Sequence, residues 1–215
     1  MLLLALDTST PAVSVALCRD GVALATEIVV DARRHNELLA IGIEKVLARA
    51  GVTPRQLEGV AAGVGPGPYT GLRVGLVTAR SLGHALGIPV HGVCSLDVLA
   101  RAAAREIDGP FIVATDARRK EVYWAAYESG ERVSGPSVDA PAEVAYDGPV
   151  FGEGPRLYPA AFPGGRLPLH PDPVDLAAIV EERVAAGLPT LALEPLYLRK
   201  PDAVEPGARK AVTGG

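Results

Sequence analysis

The chain has 215 residues, 48% of them hydrophobic, enough to bury a core as one large domain or as two small ones of about 100 residues each. Its 21 Lys and Arg against 25 Asp and Glu leave a formal net charge of −4, which argues against nucleic-acid binding by this chain alone, because neutralising phosphates needs a clustered positive surface. Cys18 and Cys94 stand far apart in apolar settings and read as free thiols of a cytoplasmic protein rather than as a disulfide.

The opening run, Leu2 to Asp7, reads as a buried strand; it lacks a basic leader and meets Asp7 too soon for a signal or membrane helix, so no membrane contact is expected. A second apolar run spans Ala12 to Cys18, and Asp20-Gly21 before Val22 to Val30 signals a short hairpin, so three antiparallel strands open the chain. From His35 to Ala50 the period turns helical and stops at Gly51. At 100° per residue this helix gathers Leu39, Ile43, Val46, Leu47 and Ala50 on a core face. Leu38, Ile41 and Ala48 fall on the other side near Lys45 and Arg49, a second apolar strip that fits either a partner or another segment of the same chain. Thr53-Pro54-Arg55-Gln56 carries an N-cap, a proline and a capping-box Gln, and residues 59–65 read as a strand.

The stretch GVGPGPYTGLRVGLVTAR, residues 63–80, reads as strand, tight turn and helix, with Thr70 as the cap and Gly87 as the stop. It satisfies neither G-x-x-x-x-G-K-[ST] nor G-x-G-x-x-G, so it is not a phosphate loop of either type. Gly71, Gly75, Ala79 and Gly83 recur every fourth residue and make a narrow ridge, for close packing within the fold or against a second subunit. Residues 88–93 return as a strand, and Ser95 is placed to cap a helix over 96–106.

Sliding the sequence by 109 residues lays FIVATDARRKEVYWAAY over LLLALDTSTPAVSVALC, pairing Ala5 with Ala114, Asp7 with Asp116, Val13 with Val122 and Ala16 with Ala125. Duplicated halves with a cleft between them follow. The halves are expected at 1–108 and 109–202, the second receiving the last helix of the first or exchanging one with it, with a helix at 174–186 and a flexible tail at 203–215.

Asp7, Thr8, Ser9 and Thr10 sit at the tip of the first strand and, with Asp116 opposite, fit a metal-bound nucleotide in that cleft; an Asx or hydroxyl turn leading to Pro11 fits them too. The stretch resembles the phosphate loops of the actin, Hsp70 and sugar-kinase superfamily, except that Ser9 stands where a glycine commonly lets backbone amides reach a phosphate. The residue four after His35 is Leu39, so a paired-histidine metal site is missing. His84, His91 and His170 stand alone, and neither Ser81 nor Ser95 lies in G-x-S-x-G.

The segments ALDTST, GPGPYTGLRVGLVTARSLGHALGIPVHGVCSLDVLA, DARRKEVYWAAY and PLYLR, spread from Ala5 to Arg199, resemble the bacterial tRNA threonylcarbamoyladenosine biosynthesis family TsaB, also called YeaZ. Pro68 replaces a serine common at that place in the family. The resemblance implies an α/β fold of two tandem ribonuclease-H-like (actin/Hsp70/sugar-kinase-like) subdomains, mixed sheets flanked by helices. It also implies a subunit with no catalytic or metal residues and no cofactor of its own, ATP and metal belonging to partner subunits. In that family the subunit pairs with the transferase TsaD through its first two helices, supports recruitment of the ATPase TsaE, self-associates when alone, and reaches tRNA through the complex. Carried onto this sequence, the interface is His35, Leu38, Leu39, Ile41 and Lys45 on one helix and Thr70, Arg73, Val74, Val77, Arg80 and His84 on the other. A sugar-kinase-like phosphotransferase using Asp7 and Asp116, or a peptidase, each acting alone, are the alternatives.

Overall fold

The computed structural model describes residues 1–144 and 146–199; the tail expected at 203–215 lies outside them. Strands β1 (Leu2–Asp7), β2 (Ala12–Arg19) and β3 (Val22–Val30) form an antiparallel meander. After α1 (His35–Ala50) and a 3₁₀ turn (Pro54–Gln56), β4 (Gly59–Gly63), α2 (Tyr69–Leu86) and β5 (Val90–Val93) complete a first sheet of order β3-β2-β1-β4-β5, its last two strands parallel to β1. Following α3 (Ser95–Ala103), the pattern recurs: β6 (Phe111–Asp116), β7 (Val122–Glu128) and β8 (Glu131–Asp139) are antiparallel, and β9 (Val150–Phe151) and β10 (Gly165–Arg166) add parallel strands. The second sheet runs β10-β9-β6-β7-β8, the same order once the list is reversed.

The 109-residue offset extends beyond the residues that revealed it. It carries β3 onto β8 end to end, and the turn Asp20-Gly21, with φ of 50° and 80°, onto Ser129-Gly130, with φ of 52° and 80°. Both are two-residue hairpin turns with positive φ at each central residue, the geometry that matches strand twist. The fold is thus the duplicated α/β architecture expected from the sequence, reduced in its second half, where the four-residue helix α4 (Gly154–Leu157) replaces a full crossover helix.

Every residue of β1 is buried because both faces of its sheet are covered. Leu2, Leu4 and Leu6 point to one face and pack with Leu39, Val46 and Leu47 of α1 and Ala79 of α2. Leu3 and Ala5 point to the other, where they meet Leu176, Ala177 and Val180 of α5 (Pro173–Ala185). A helix from the end of the described chain therefore closes the first sheet. Conversely, α3 packs Leu96, Leu99, Ala100 and Ala103 against Phe111, Val113, Ala125, Tyr127 and Phe151 of the second sheet. Each helix crosses to the other half, which ties the two sheets into one packing unit.

The small-residue ridge of α2 is spent inside the fold. A Cβ on Gly75 would stand 2.5 Å from Thr8 Oγ1, and one on Gly83 would stand 2.1 Å from Val90 Cγ2, so no second helix from another subunit is needed to explain it. Helix α3 ends at Ala103, earlier than expected, and Cys94 rather than Ser95 occupies its N-cap position. Thr53 and Gln56 do bond to each other, Gln56 Oε1 accepting from the Thr53 N–H at 2.8 Å, but the turn they start closes after Gln56.

Because Leu176 is fully buried between α5 and the first sheet, Leu176→Ala is expected to lower stability by about 2–5 kcal/mol in urea unfolding. Val184→Ala, on the exposed side of the same helix, should change it by less than about 0.5 kcal/mol.

Candidate functional site

Asp7, Thr8, Ser9 and Thr10 are all buried, and they are sealed by the very loop whose purpose the sequence left open. Asp7 Oδ1 accepts hydrogen bonds from the Ser9 N–H at 2.7 Å and the Ser9 hydroxyl at 2.6 Å, and Oδ2 accepts from the Ser95 hydroxyl at 2.6 Å. Ser95 Oγ in turn accepts from the Gly65 N–H at 3.2 Å, and the Ser95 N–H donates to the Gly65 carbonyl at 2.8 Å. A Cβ on Gly63 would fall 1.7 Å from Asp7 Oδ2, and one on Gly67 would fall 2.3 Å from the Ser9 carbonyl oxygen. The glycines are there so that backbone can lie directly on the strand tip.

The neighbouring side chains complete the closure. The Thr8 hydroxyl donates to the Gly71 carbonyl at 2.8 Å and accepts from the Gly75 N–H at 3.1 Å. His35 Nε2 lies 2.9 Å from the Thr10 carbonyl oxygen, an N–H···O bond in the tautomer that carries the proton there. Asp7 and Ser9 therefore line no cleft, and the Ser9 amide that would meet a phosphate is already bonded to Asp7; Thr8 and Thr10 edge only a small pocket of about 150 Å³ beside His35, Tyr69, Thr70 and Arg118. Burial pushes the Asp7 carboxyl above the ordinary carboxylate range, against the opposing pull of the Ser9 and Ser95 hydrogen bonds.

Asp116, the counterpart of Asp7, behaves differently. Its Oδ1 accepts from the Arg118 N–H at 2.8 Å, and Oδ2 lies 3.1 Å from the Arg118 guanidinium. Arg118, Arg119 and Lys120 then follow with φ of 61°, 55° and 63°. Three consecutive side-chain-bearing residues in the left-handed region cost on the order of 1–2 kcal/mol each, and such strain concentrates where a surface is held for use. Among the described residues, no group of three or more His, Cys, Asp or Glu is poised to hold a metal.

The space between the halves lies beside this turn. A cleft of about 540 Å³ is lined by Tyr69 and Arg73 of α2, Arg118, Arg119 and Tyr123 of the second half, and Tyr197 and Arg199 from the stretch 195–199. Tyr69 and Tyr197 stack with ring centroids 5.4 Å apart. Arg73 places its guanidinium 3.7 Å from the Tyr69 ring centroid and donates from Nε to the Tyr197 hydroxyl at 2.8 Å. Arg199 is ion-paired with Glu121. Sequence reasoning missed the two tyrosines; their contact joins α2 to residues 195–199, far along the chain, and no local pattern signals it.

Comparison with known proteins agrees with this architecture. The family described as "TsaD: tRNA N6-adenosine threonylcarbamoyltransferase" matches residues 29–213. An uncharacterized Mycobacterium tuberculosis protein is 45% identical over 210 residues, covering 93% of this chain and 92% of its own length. YeaZ from Pseudomonas aeruginosa superposes with a TM-score of 0.77 at 33% identity, covering 91% of this chain and 99% of its own. The chain belongs to this family, on its TsaB/YeaZ branch. The Escherichia coli protein named tRNA threonylcarbamoyladenosine biosynthesis protein TsaB is 36% identical over 132 residues, 61% of this chain and 57% of that protein. The chain likewise spans only 56% of a Mycobacterium leprae relative, 43% identical over 208 residues.

The TsaB resemblance placed a partner interface on α1 and α2, and the structure sorts its residues. Both helices pack on the same core cluster, so their outer surfaces share one side of the first sheet. Leu39 is 1% exposed and belongs to that core, so it lies inside the fold and not on the surface where the resemblance placed it. Leu38 and Val74 are half-buried and pack against the same cluster. Lys45 Nζ reaches Glu27 at 2.6 Å, and Arg80 donates to the Leu193 carbonyl at 2.7 Å; Arg73 and His35 are engaged as described above. Thr70, expected as a helix cap, lies inside α2 after the N-cap Pro68 and is exposed, as is His84. Ile41 at 47% and Val77 at 62% exposure are the large apolar side chains that this surface presents to solvent.

A carboxyl whose folded pKa is raised adds stability below its unfolded value, and that contribution is lost as pH rises through the folded value. Ionised Asp7 therefore costs stability at neutral pH. Asp7→Asn should be at least as stable as the parent at neutral pH, the gap closing on acidification. Asp7→Ala strands the Ser9 and Ser95 donors and should lose roughly 1–3 kcal/mol. Urea unfolding at neutral and acidic pH reads both; an Asn variant less stable than the parent at neutral pH, with the deficit vanishing on acidification, would show that the charge itself holds the loop.

Proposed function

We propose that the chain is a noncatalytic subunit in the formation of tRNA N6-threonylcarbamoyladenosine, acting by docking the transferase TsaD on the outer surface of α1 and α2. The observation that carries this reading is the closed strand tip. Asp7, Thr8 and Ser9 are bonded to their own chain and lie against Gly63, Gly67, Gly71 and Gly75, while the adjoining helices leave Ile41 and Val77 in water. The E. coli relative's name as a threonylcarbamoyladenosine biosynthesis protein supports the pathway, and the family match supports a link to the transferase.

In this reading ATP and metal sit on the partner subunits, the ATPase TsaE joins the same assembly, and the chain pairs with itself through the α1–α2 surface when the transferase is missing. It works in the cytoplasm; no helix among the described residues is long and apolar enough to cross a membrane. A phosphotransferase acting alone has less support, because Asp7 would have to leave three hydrogen bonds to reach a metal. A peptidase has less still, because the Ser95 hydroxyl donates to Asp7 rather than to a histidine.

Ile41→Asp combined with Val77→Asp is expected to abolish the one-to-one complex with TsaD of the same organism, read by size-exclusion chromatography with light scattering. Thermal unfolding should be nearly unchanged, both sites being exposed. A complex that survives the double substitution would remove this surface from the account.

A further inference from the structure

We propose that the cleft between the two halves holds one unstacked nucleotide of an RNA strand, its base on the Tyr69–Tyr197 pair and its phosphates along Arg118, Arg119 and Arg199. This rests on the tRNA reading above and assigns to this chain a contact that its net charge of −4 does not suggest. Among the described residues the cleft lining carries four arginines and no carboxylate; Arg118 and Arg199 are ion-paired behind it with Asp116 and Glu121, so the cleft surface itself presents cations although the chain as a whole is acidic.

The aromatic pair is set up for a third ring. Tyr69 and Tyr197 are 54% and 41% exposed, yet they are held against each other by Arg73, which lies on one ring and bonds the hydroxyl of the other. Bases stack on such platforms irrespective of sequence, and an adjoining basic groove follows the backbone. The N-terminus of the 18-residue helix α2 opens on the same cleft at Tyr69, with no side chain capping it, so its amides add to the attraction for an anion. The strained turn fixes the other wall, holding Arg118 and Arg119 in the left-handed region.

An RNA strand fits better than a free nucleoside triphosphate. The arginines come from three separate stretches, α2, the β6–β7 turn and residues 195–199, and share the cleft with two exposed aromatic rings, the combination of cations and stacking surface that a single strand uses. Among the described residues lining it there is no lysine and no acid to hold a magnesium ion, as a phosphate loop would require.

The test is fluorescence anisotropy of the full chain with a fluorescein-labelled anticodon stem-loop RNA over a range of salt concentrations. Tyr197→Ala should weaken binding by about tenfold or more and Tyr197→Phe should restore most of it, because the ring does the stacking. Arg119→Ala should weaken binding and lower the salt slope by about one. No RNA binding by the parent, or equal binding by Tyr197→Ala, would overturn the proposal. Displacement of the RNA by magnesium-ATP at comparable concentration would overturn it in favour of a free nucleotide. Co-elution with TsaD, measured on the same samples, keeps the two readings apart. Tyr197→Ala should lose RNA while keeping TsaD, and a parent that binds RNA but not TsaD would sink the docking reading alone.

Discussion

A carboxyl group without access to water must be solvated by protein, and the strand tip, the loop over it and the start of α3 meet that demand for Asp7. Its oxygens collect donors from Ser9 and from Ser95, which begins α3, the helix that covers the second sheet. The same carboxylate fixes Gly63, where any side chain would overlap it, and through Ser95 it reaches the Gly65 amide at the start of the glycine and proline loop. One buried polar group thus joins the central strand, the loop that covers it and the helix that leads to the other half. Such a group is costly unless every oxygen is used, which explains why strand, loop and helix meet at this point.

The duplication makes the asymmetry of the two tips informative. Asp7 and Asp116 occupy the same place in the same topology. One tip is drawn inward and capped by backbone; the other bonds its own turn and raises two arginines and a lysine in a strained conformation at the surface. The larger cleft is lined by Ala117, Arg118 and Arg119 beside the second tip together with the stacked Tyr69 and Tyr197, whereas the first tip borders only a small pocket at Thr8 and Thr10. The exchanged helices α3 and α5 keep the halves together, so the cleft walls belong to one packed body.

Much of this could be read from the sequence where the signal is local. Continuous apolar runs gave β1 and β2, Asp20-Gly21 gave the hairpin, and the helical period of α1 correctly sent Leu39 to the core even while the family resemblance listed it at an interface. The match of β3 with β8 escaped notice because both are exposed edge strands, free to diverge, VALATEIVV against ERVSGPSVD. Only the turn geometry and strand length record the common origin. Polar residues after a strand look alike whether they face a cleft or are buried, so Asp7 to Thr10 were legible as unusual but not as sealed. Ser95 reads as a helix cap, yet it is the first residue of α3 after the N-cap Cys94, and its hydroxyl is committed to Asp7. The placement of α5 on the first sheet and the meeting of Tyr69 with Tyr197 depend on tertiary packing alone.

The claim on which the account turns is that the strand tip is filled by the chain's own backbone. Titration calorimetry of the chain alone with magnesium-ATP addresses it most directly. The account predicts no saturable heat that depends on Asp7. Stoichiometric binding that Asp7→Asn abolishes and Tyr197→Ala leaves intact would contradict it, because the tip would then have to open and accept the metal and phosphates that its hydrogen bonds now exclude.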